Sequence, residues 1–164
     1  MKITLRPVEP QDNNFLFKVF ASTRQDEMAL VDWTDSQKDT FLHMQFEAQR
    51  GSYLIQFPAA LHQVILCNDV PVGRIITARS VDEIYVVDVA LLPETRNKRI
   101  GTILLQDLQC EAARAGKLLR LEVELFNPAQ HLYEKLGFVG VRQNGFYFEM
   151  EWRPQTEAAG CLAN

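Results

Sequence analysis

Hydrophobic and polar positions change period several times along the chain, and each change marks an element. Ile3 and Leu5 alternate with polar neighbours as far as Pro7, which predicts a short first strand. Phe15, Leu16, Val19 and Phe20 recur at helical spacing, with Asp12 placed to cap their helix. A polar link runs from Asp26 to Asp35, and a second helix opens near Ser36. Phe41, Leu42, Met44 and Phe46 form its stripe, and Gly51 predicts its end. Gln63 to Cys67 and Val70 to Ala78 are β-branched runs around Asn68-Asp69, a hairpin signal. Glu83 to Leu92 is the richest strand in the chain, and Pro93 closes it.

Beyond Pro93 the period lengthens from 2 to about 3.6 residues. Ile100, Ile103, Leu104, Leu108 and Ala112 make one helical face that ends near Gly116. Leu119, Leu121, Val123 and Leu125 then alternate with Arg120, Glu122 and Glu124, a strand with one wetter face. Asn127-Pro128 reads as the start of a short helix, and Gly137 sits where a C-terminal glycine belongs. Two last strands flank Asn144-Gly145. The order predicts a mixed α/β domain with a largely antiparallel sheet. Residues 1–153 read as one domain, without repeats or a linker, and 154–164 as a small, polar, frayed tail.

Composition narrows the function classes. A chain of 164 residues is one domain's worth at about 150 residues per domain, enough for a proper core. Its net charge of −4 argues against bulk attraction to nucleic acid or an anionic membrane. No apolar run approaches the roughly 18 residues of a membrane span, and the N-terminus lacks a signal peptide's apolar stretch. Cys67, Cys110 and Cys161 are far apart and form no CxxC pair, which reads as reduced thiols in a cytoplasmic protein. His43, His62 and His131 show no metal-ligand spacing with each other or with the cysteines, so no metal is expected.

Two segments carry candidate chemistry. The first is the junction from Pro93-Glu94-Thr95 into RNKRIGT, Arg96 to Thr102. A loop feeding a helix start offers unpaired backbone N–H groups and the positive end of the macrodipole, an anion site whose usual occupant is phosphate. Arg96, Lys98 and Arg99 add positive charge, and Gly101 lets the backbone come close to a ligand. Neither the nucleotide P-loop nor the dinucleotide fingerprint is matched. The second segment is NPAQHLYEKLGF, Asn127 to Phe138, in which the Tyr133 phenol is placed either as a proton donor or as a core side chain between Leu132 and Leu136.

Together these segments resemble the GCN5-related N-acetyltransferase (GNAT) superfamily. RNKRIG stands where that family has Q/R-x-x-G-x-G/A after a strand. N-x-A-x-x-L-Y-x-x-x-G-F is matched at each fixed position by Asn127, Ala129, Leu132, Tyr133, Gly137 and Phe138. The opening ITLRPVEPQD and the late FYFEMEW also resemble the family's first and last strands, so the likeness spans residues 1–153.

The resemblance implies a mixed, mostly antiparallel sheet with splayed central strands and an N-acetyltransferase that uses acetyl-CoA. Backbone groups of Val89, Ala90 and Leu91 would meet the pantetheine arm. Amides from Arg96, Asn97, Lys98, Arg99, Ile100, Gly101 and Thr102 would hold the pyrophosphate. Asn127 would reach the pantetheine, and Tyr133 would protonate the departing thiolate. One position departs: the central loop glycine is Arg99, expected to be already helical, with its guanidinium turned outward.

An acceptor ammonium must lose a proton before it attacks. EIYVVD resembles the strand start where histone-type members place a catalytic Glu, here Glu83, with Tyr85 on the same face. Asp88, Glu122, Glu124 or a water are the alternatives. In this fold the acceptor usually meets the first two helices and their link. Here Asp26, Glu27, Asp32 and Asp35 surround Trp33, which suits a cationic amine. The expected acceptor is a primary amine on a small molecule or a protein, with no nucleic-acid or membrane partner, and a homodimer is compatible with the fold. The alternative is a catalytically impaired acyl-CoA-binding or regulatory module.

Overall fold

Turn and cap chemistry sets most element boundaries in the computed structural model, which describes residues 1–155. The chain runs β1 (Ile3–Pro7), a 3-10 turn (Pro10–Asp12), α1 (Asn13–Thr23), α2 (Gln25–Ala29), α3 (Asp35–Gln56), β2 (Leu61–Cys67), β3 (Val70–Arg79) and β4 (Glu83–Leu91). A second 3-10 turn (Pro93–Thr95) then leads to α4 (Ile100–Ala115), β5 (Leu118–Glu124), α5 (Ala129–Lys135), β6 (Val139–Asn144) and β7 (Tyr147–Trp152). The strands form one seven-stranded sheet in the order β1-β2-β3-β4-β5-β7-β6. β1/β2, β5/β7 and β6/β7 are antiparallel, while β4/β5 is parallel because α4 is the crossover between them. That is the mixed architecture expected. The parallel ladder joins Glu83–Val86 to Leu118–Leu121, whereas β4 runs on to Leu91 and β5 to Glu124.

Contacts group the chain into two compact units, Met1–Ile76 with Asp88–Arg96, and Thr77–Val87 with Asn97 onward. In the first unit, α1 and α3 bury Leu16, Phe20 and Phe46 against Val8, Phe15, Phe17 and Leu42. Complete burial of such side chains stabilises by about 1.5–3 kcal/mol each. The hairpin turn is as expected: Asn68 (φ 49°) and Asp69 (φ 67°) both take the left-handed conformation that a two-residue turn demands. Two expectations fail here. Gln25–Ala29 forms a short helix inside the polar link, and α3 begins at Asp35 under a Thr34 capping box with Gln37 and continues through Gly51 to Gln56. Gly51 carries no positive φ, so nothing forces the helix to stop there.

Asp12 does not bond an amide of α1 through its side chain; it is buried and takes both nitrogens of Arg6 at 2.8 Å, together with the Glu9 amide at 2.8 Å. The guanidinium hydrogen bond, then the backbone amide, outweigh burial and hold its carboxyl down at about 2. A carboxyl lowered on folding contributes stability above its unfolded value, near ~3.9, and loses it as pH falls towards 2. Asp12→Asn should therefore lower Tm at neutral pH and flatten the acid limb of a Tm-against-pH curve between about 4 and 2. An unchanged acid limb would place that loss elsewhere.

In the second unit, α4 buries Ile100, Leu104, Leu105, Leu108 and Ala112. β5 turns Leu119, Leu121 and Val123 inward, as its alternation predicted. Gly116 (φ 66°) closes α4 in the left-handed conformation, as does Gly137 (φ 92°) after α5. β6 and β7 pair around Gly145 (φ 61°), with a register shift between Gly140 and Arg142. Cys67 is a free thiol whereas Cys110 is disulfide-bonded, which corrects the expectation of reduced thiols throughout. Cys161 and the tail from 156 to 164, expected to be frayed, lie outside the described residues.

Candidate functional site

The N-terminus of α4 is built from two residues of unusual backbone. Asn97 (φ 59°) and Arg99 (φ 66°) are both left-handed, and Arg99 is the residue immediately before the helix. The expectation that Arg99 is already helical is therefore wrong. A non-glycine residue there costs about 1–2 kcal/mol. In return the amides of Ile100, Gly101 and Thr102 open the helix, where the i−4 ladder supplies no acceptor. The ladder begins at Ile103, which donates to the Arg99 carbonyl at 3.0 Å. A Cβ at Gly101 would meet only Leu132 Cδ2, at 3.7 Å. Packing within the protein thus does not require glycine at this position, whereas a ligand lying on the amides would. An anionic group suits this cradle.

Relief of the Arg99 strain is measurable. Arg99→Gly should stabilise the protein by about 1 kcal/mol in chemical denaturation. A neutral or destabilising result would show that the Arg99 side chain contributes more than its backbone costs.

Asn127 holds the start of α5, its Oδ1 accepting from the Ala129 amide at 2.9 Å. Phe126 before it is left-handed (φ 69°) and 96% exposed. Tyr133 is buried on α5, its ring 5.9 Å from that of Phe138, and its carbonyl accepts the Phe138 amide at 3.0 Å. The tight end of the short helix thus fixes the phenol's position.

The wetter face of β5 meets the start of β4. Arg120 donates to both oxygens of Glu83, at 3.0 and 2.8 Å, lies 4.0 Å over the Tyr85 ring, and reaches Glu149 at 3.7 Å. Its hydrogen bonds hold the Glu83 carboxyl below the ordinary carboxylate range, which makes Glu83 a weaker proton acceptor than its strand position suggested. Burial, then the charge of Glu122, push the Tyr85 phenol up. Glu122 and Glu124 are exposed on β5. Arg120 is the residue of this cluster that sequence reasoning did not single out. Its signal was present, a cation alternating with two glutamates, but only the β4/β5 register puts it opposite Tyr85.

In the first unit, Val89, Ala90 and Leu91 form the end of β4. The Leu91 carbonyl accepts from Arg96 Nε at 3.0 Å, so the Arg96 side chain folds back onto the strand. Asp88, the odd carboxylate of β4, bonds Arg74 Nε at 2.8 Å, and Arg74 also holds Gln49 at 2.6 Å. Asp88 is therefore a structural ion pair. Asp26 is exposed on α2, and Trp33 rests edge-on against Phe41 at 5.2 Å beside Thr40 and Met44. The structure brings Glu83 and Tyr85 together, and separately gathers Arg99, Ile100, Gly101 and Thr102 at one helix end.

The acetyltransferase (GNAT) domain model matches residues 58–140, more than half of the chain. The chain belongs to the GNAT acetyltransferase family. Solved GNAT structures share its fold at low identity. The PaiA N-acetyltransferase of Thermoplasma acidophilum, in complex with coenzyme A, is 19% identical with a TM-score of 0.69, covering 93% of this chain and 99% of that one. The ribosomal-protein-S18-alanine N-acetyltransferase of Escherichia coli is 21% identical at TM-score 0.64, covering 99% and 100%. Arabidopsis thaliana Naa50, in complex with the bisubstrate analogue CoA-Ac-MVNAL, is 16% identical at TM-score 0.61, covering 92% and 97%. No curated protein matches the sequence. No described helix is long and apolar enough to cross a membrane, and no metal-holding cluster of His, Cys, Asp or Glu occurs among the described residues.

Proposed function

We propose that this GNAT protein transfers an acetyl group from acetyl-CoA to a primary amine by direct attack in a ternary complex. The observation that carries the reading is the α4 N-terminus, with its first-turn amides and open space at Gly101. Acetyl-CoA, when bound, would supply an activated thioester. Ile100, Gly101 and Thr102 amides, with Asn97, Lys98 and Arg99 around them, would hold its pyrophosphate. Val89, Ala90 and Leu91 would offer extended backbone to the pantetheine, and the Asn127 amide NH2 would add a donor. Tyr133 Oη gives a proton to the leaving sulfur.

For the base, the free electrostatics favour Glu122 over Glu83. Both Glu83 oxygens are taken by Arg120, whereas Glu122 is exposed on the same face as Tyr85. Bound cofactor at about 100 times its Kd adds roughly 2.7 kcal/mol, several degrees of Tm. A rise with acetyl-CoA and CoA but not ATP, together with free-thiol release on adding amines, is the expected result. A rise without thiol release on any amine would favour the impaired acyl-CoA-binding module. No rise would remove the acetyl-CoA reading.

A further inference from the structure

We infer that a pocket between α1, α3, β2 and β3 binds a small carboxylate carrying an apolar tail. The pocket encloses about 500 Å³, within the range of small-molecule sites, and every residue lining it belongs to the first unit. None of the residues proposed for acetyl transfer lines it. Leu16, Phe46, Leu54 and Ile76 give it apolar walls suited to a hydrocarbon chain. Two guanidiniums, Arg50 and Arg74, enter the same wall against one lining carboxylate, Glu9, which already accepts from Gln11.

Arg74 is the first of the two cations that line the pocket. It is buried, spends Nε on Asp88 and Nη2 on Gln49, and its Nη1 makes no hydrogen bond among the described residues. Arg50 leans on the Phe46 ring at 5.0 Å, bonds Asn13 and stands 3.6 Å from Glu47, which fixes its direction without burying it. His62 supplies a second incomplete group. Its Nε2 is sealed from solvent with no partner among the described residues, a state that buried polar atoms rarely keep. A carboxylate has two acceptor oxygens, and its charge is opposite to both guanidiniums.

Proton linkage gives the pocket a signature of its own. Burial, then the charges of Arg74 and Arg50, lower the His62 imidazole, so it is neutral at pH 7. Glu9, Arg50, Tyr53 and Arg74 are the charged and titratable groups facing it across the pocket, with Asp88 behind Arg74. A bound anion adds negative charge beside His62 and favours its protonated form, so binding tightens as pH falls.

Octanoate is the probe, titrated calorimetrically into the full-length protein with octylamine and octanol as controls, while the His62 ring nitrogens are followed by NMR. Octanoate should bind, octylamine should not, and octanol should bind at least about tenfold more weakly. The His62 resonances should move towards imidazolium on binding, and Arg50→Gln should weaken octanoate by about tenfold. Equal binding of octanol, unmoved His62 resonances or no binding of octanoate would each overturn the assignment.

Discussion

Gly73→Ala should destabilise the protein by about 3 kcal/mol or more, a fall in Tm on the order of 10 °C. A Cβ at this position would lie 2.2 Å from the Ala90 carbonyl oxygen and 2.9 Å from Leu91 Cδ2. The first of these is backbone, so no side-chain rotation relieves it. Either β3 and β4 separate locally or the end of β4 shifts, and Val89–Leu91 is the stretch proposed to meet the pantetheine. Loss of stability should therefore come with weaker acetyl-CoA binding, read by denaturation and by cofactor titration of the same sample. Gly51→Ala is the internal control with the opposite sign. Gly51 is inside α3 with nothing within 4 Å of its would-be Cβ, so alanine should stabilise by about 0.5–1 kcal/mol. Equal effects at the two positions would show that the close approach at Gly73 is not a constraint.

Tyr133→Phe should leave acetyl-CoA binding nearly unchanged while kcat falls about 10²–10⁴-fold. The ring keeps its place beside Phe138 with or without the hydroxyl, and the step proposed to be lost is proton delivery to the sulfur. Glu122→Gln is the companion on the base side. It should lower kcat/KM for the amine with less effect at high pH, where the acceptor is already neutral. Steady-state rates across pH separate the two. Wild-type kcat in Tyr133→Phe would take the tyrosine out of the mechanism.

Local chemistry made much of this molecule readable from its residues. Asn68-Asp69, Gly116, Gly137 and Asn127 each act within a few residues of themselves, and each stands where its turn or cap preference put it. The family segments were readable for the same reason, since their spacing is set along one strand, loop or helix. What stayed hidden depends on partners distant in sequence or on backbone that side-chain identity does not reveal. Glu83 looked like a base because its partner, Arg120, lies 37 residues away and meets it only through the parallel register. Asp88 is answered from β3, 14 residues back. Gly51 looked like a helix end because a glycine at a C-cap and a glycine inside a packed helix read alike. Arg99 was placed in the wrong well because an arginine carries no sign that its φ is positive.

The register shift in the last hairpin has a consequence for how the protein behaves when crowded. β6 is the outer strand of the sheet, and all six of its residues are exposed, Val139 and Val141 among them. A flat apolar border of this kind invites strand addition from another chain and, from there, aggregation. Val141 falls in the shift between Gly140 and Arg142, so the border is kinked in the middle, and Arg142 places a charge beside the kink. An incoming strand would have to match an irregular ladder and accommodate that cation. The irregularity therefore keeps the open edge from becoming a template.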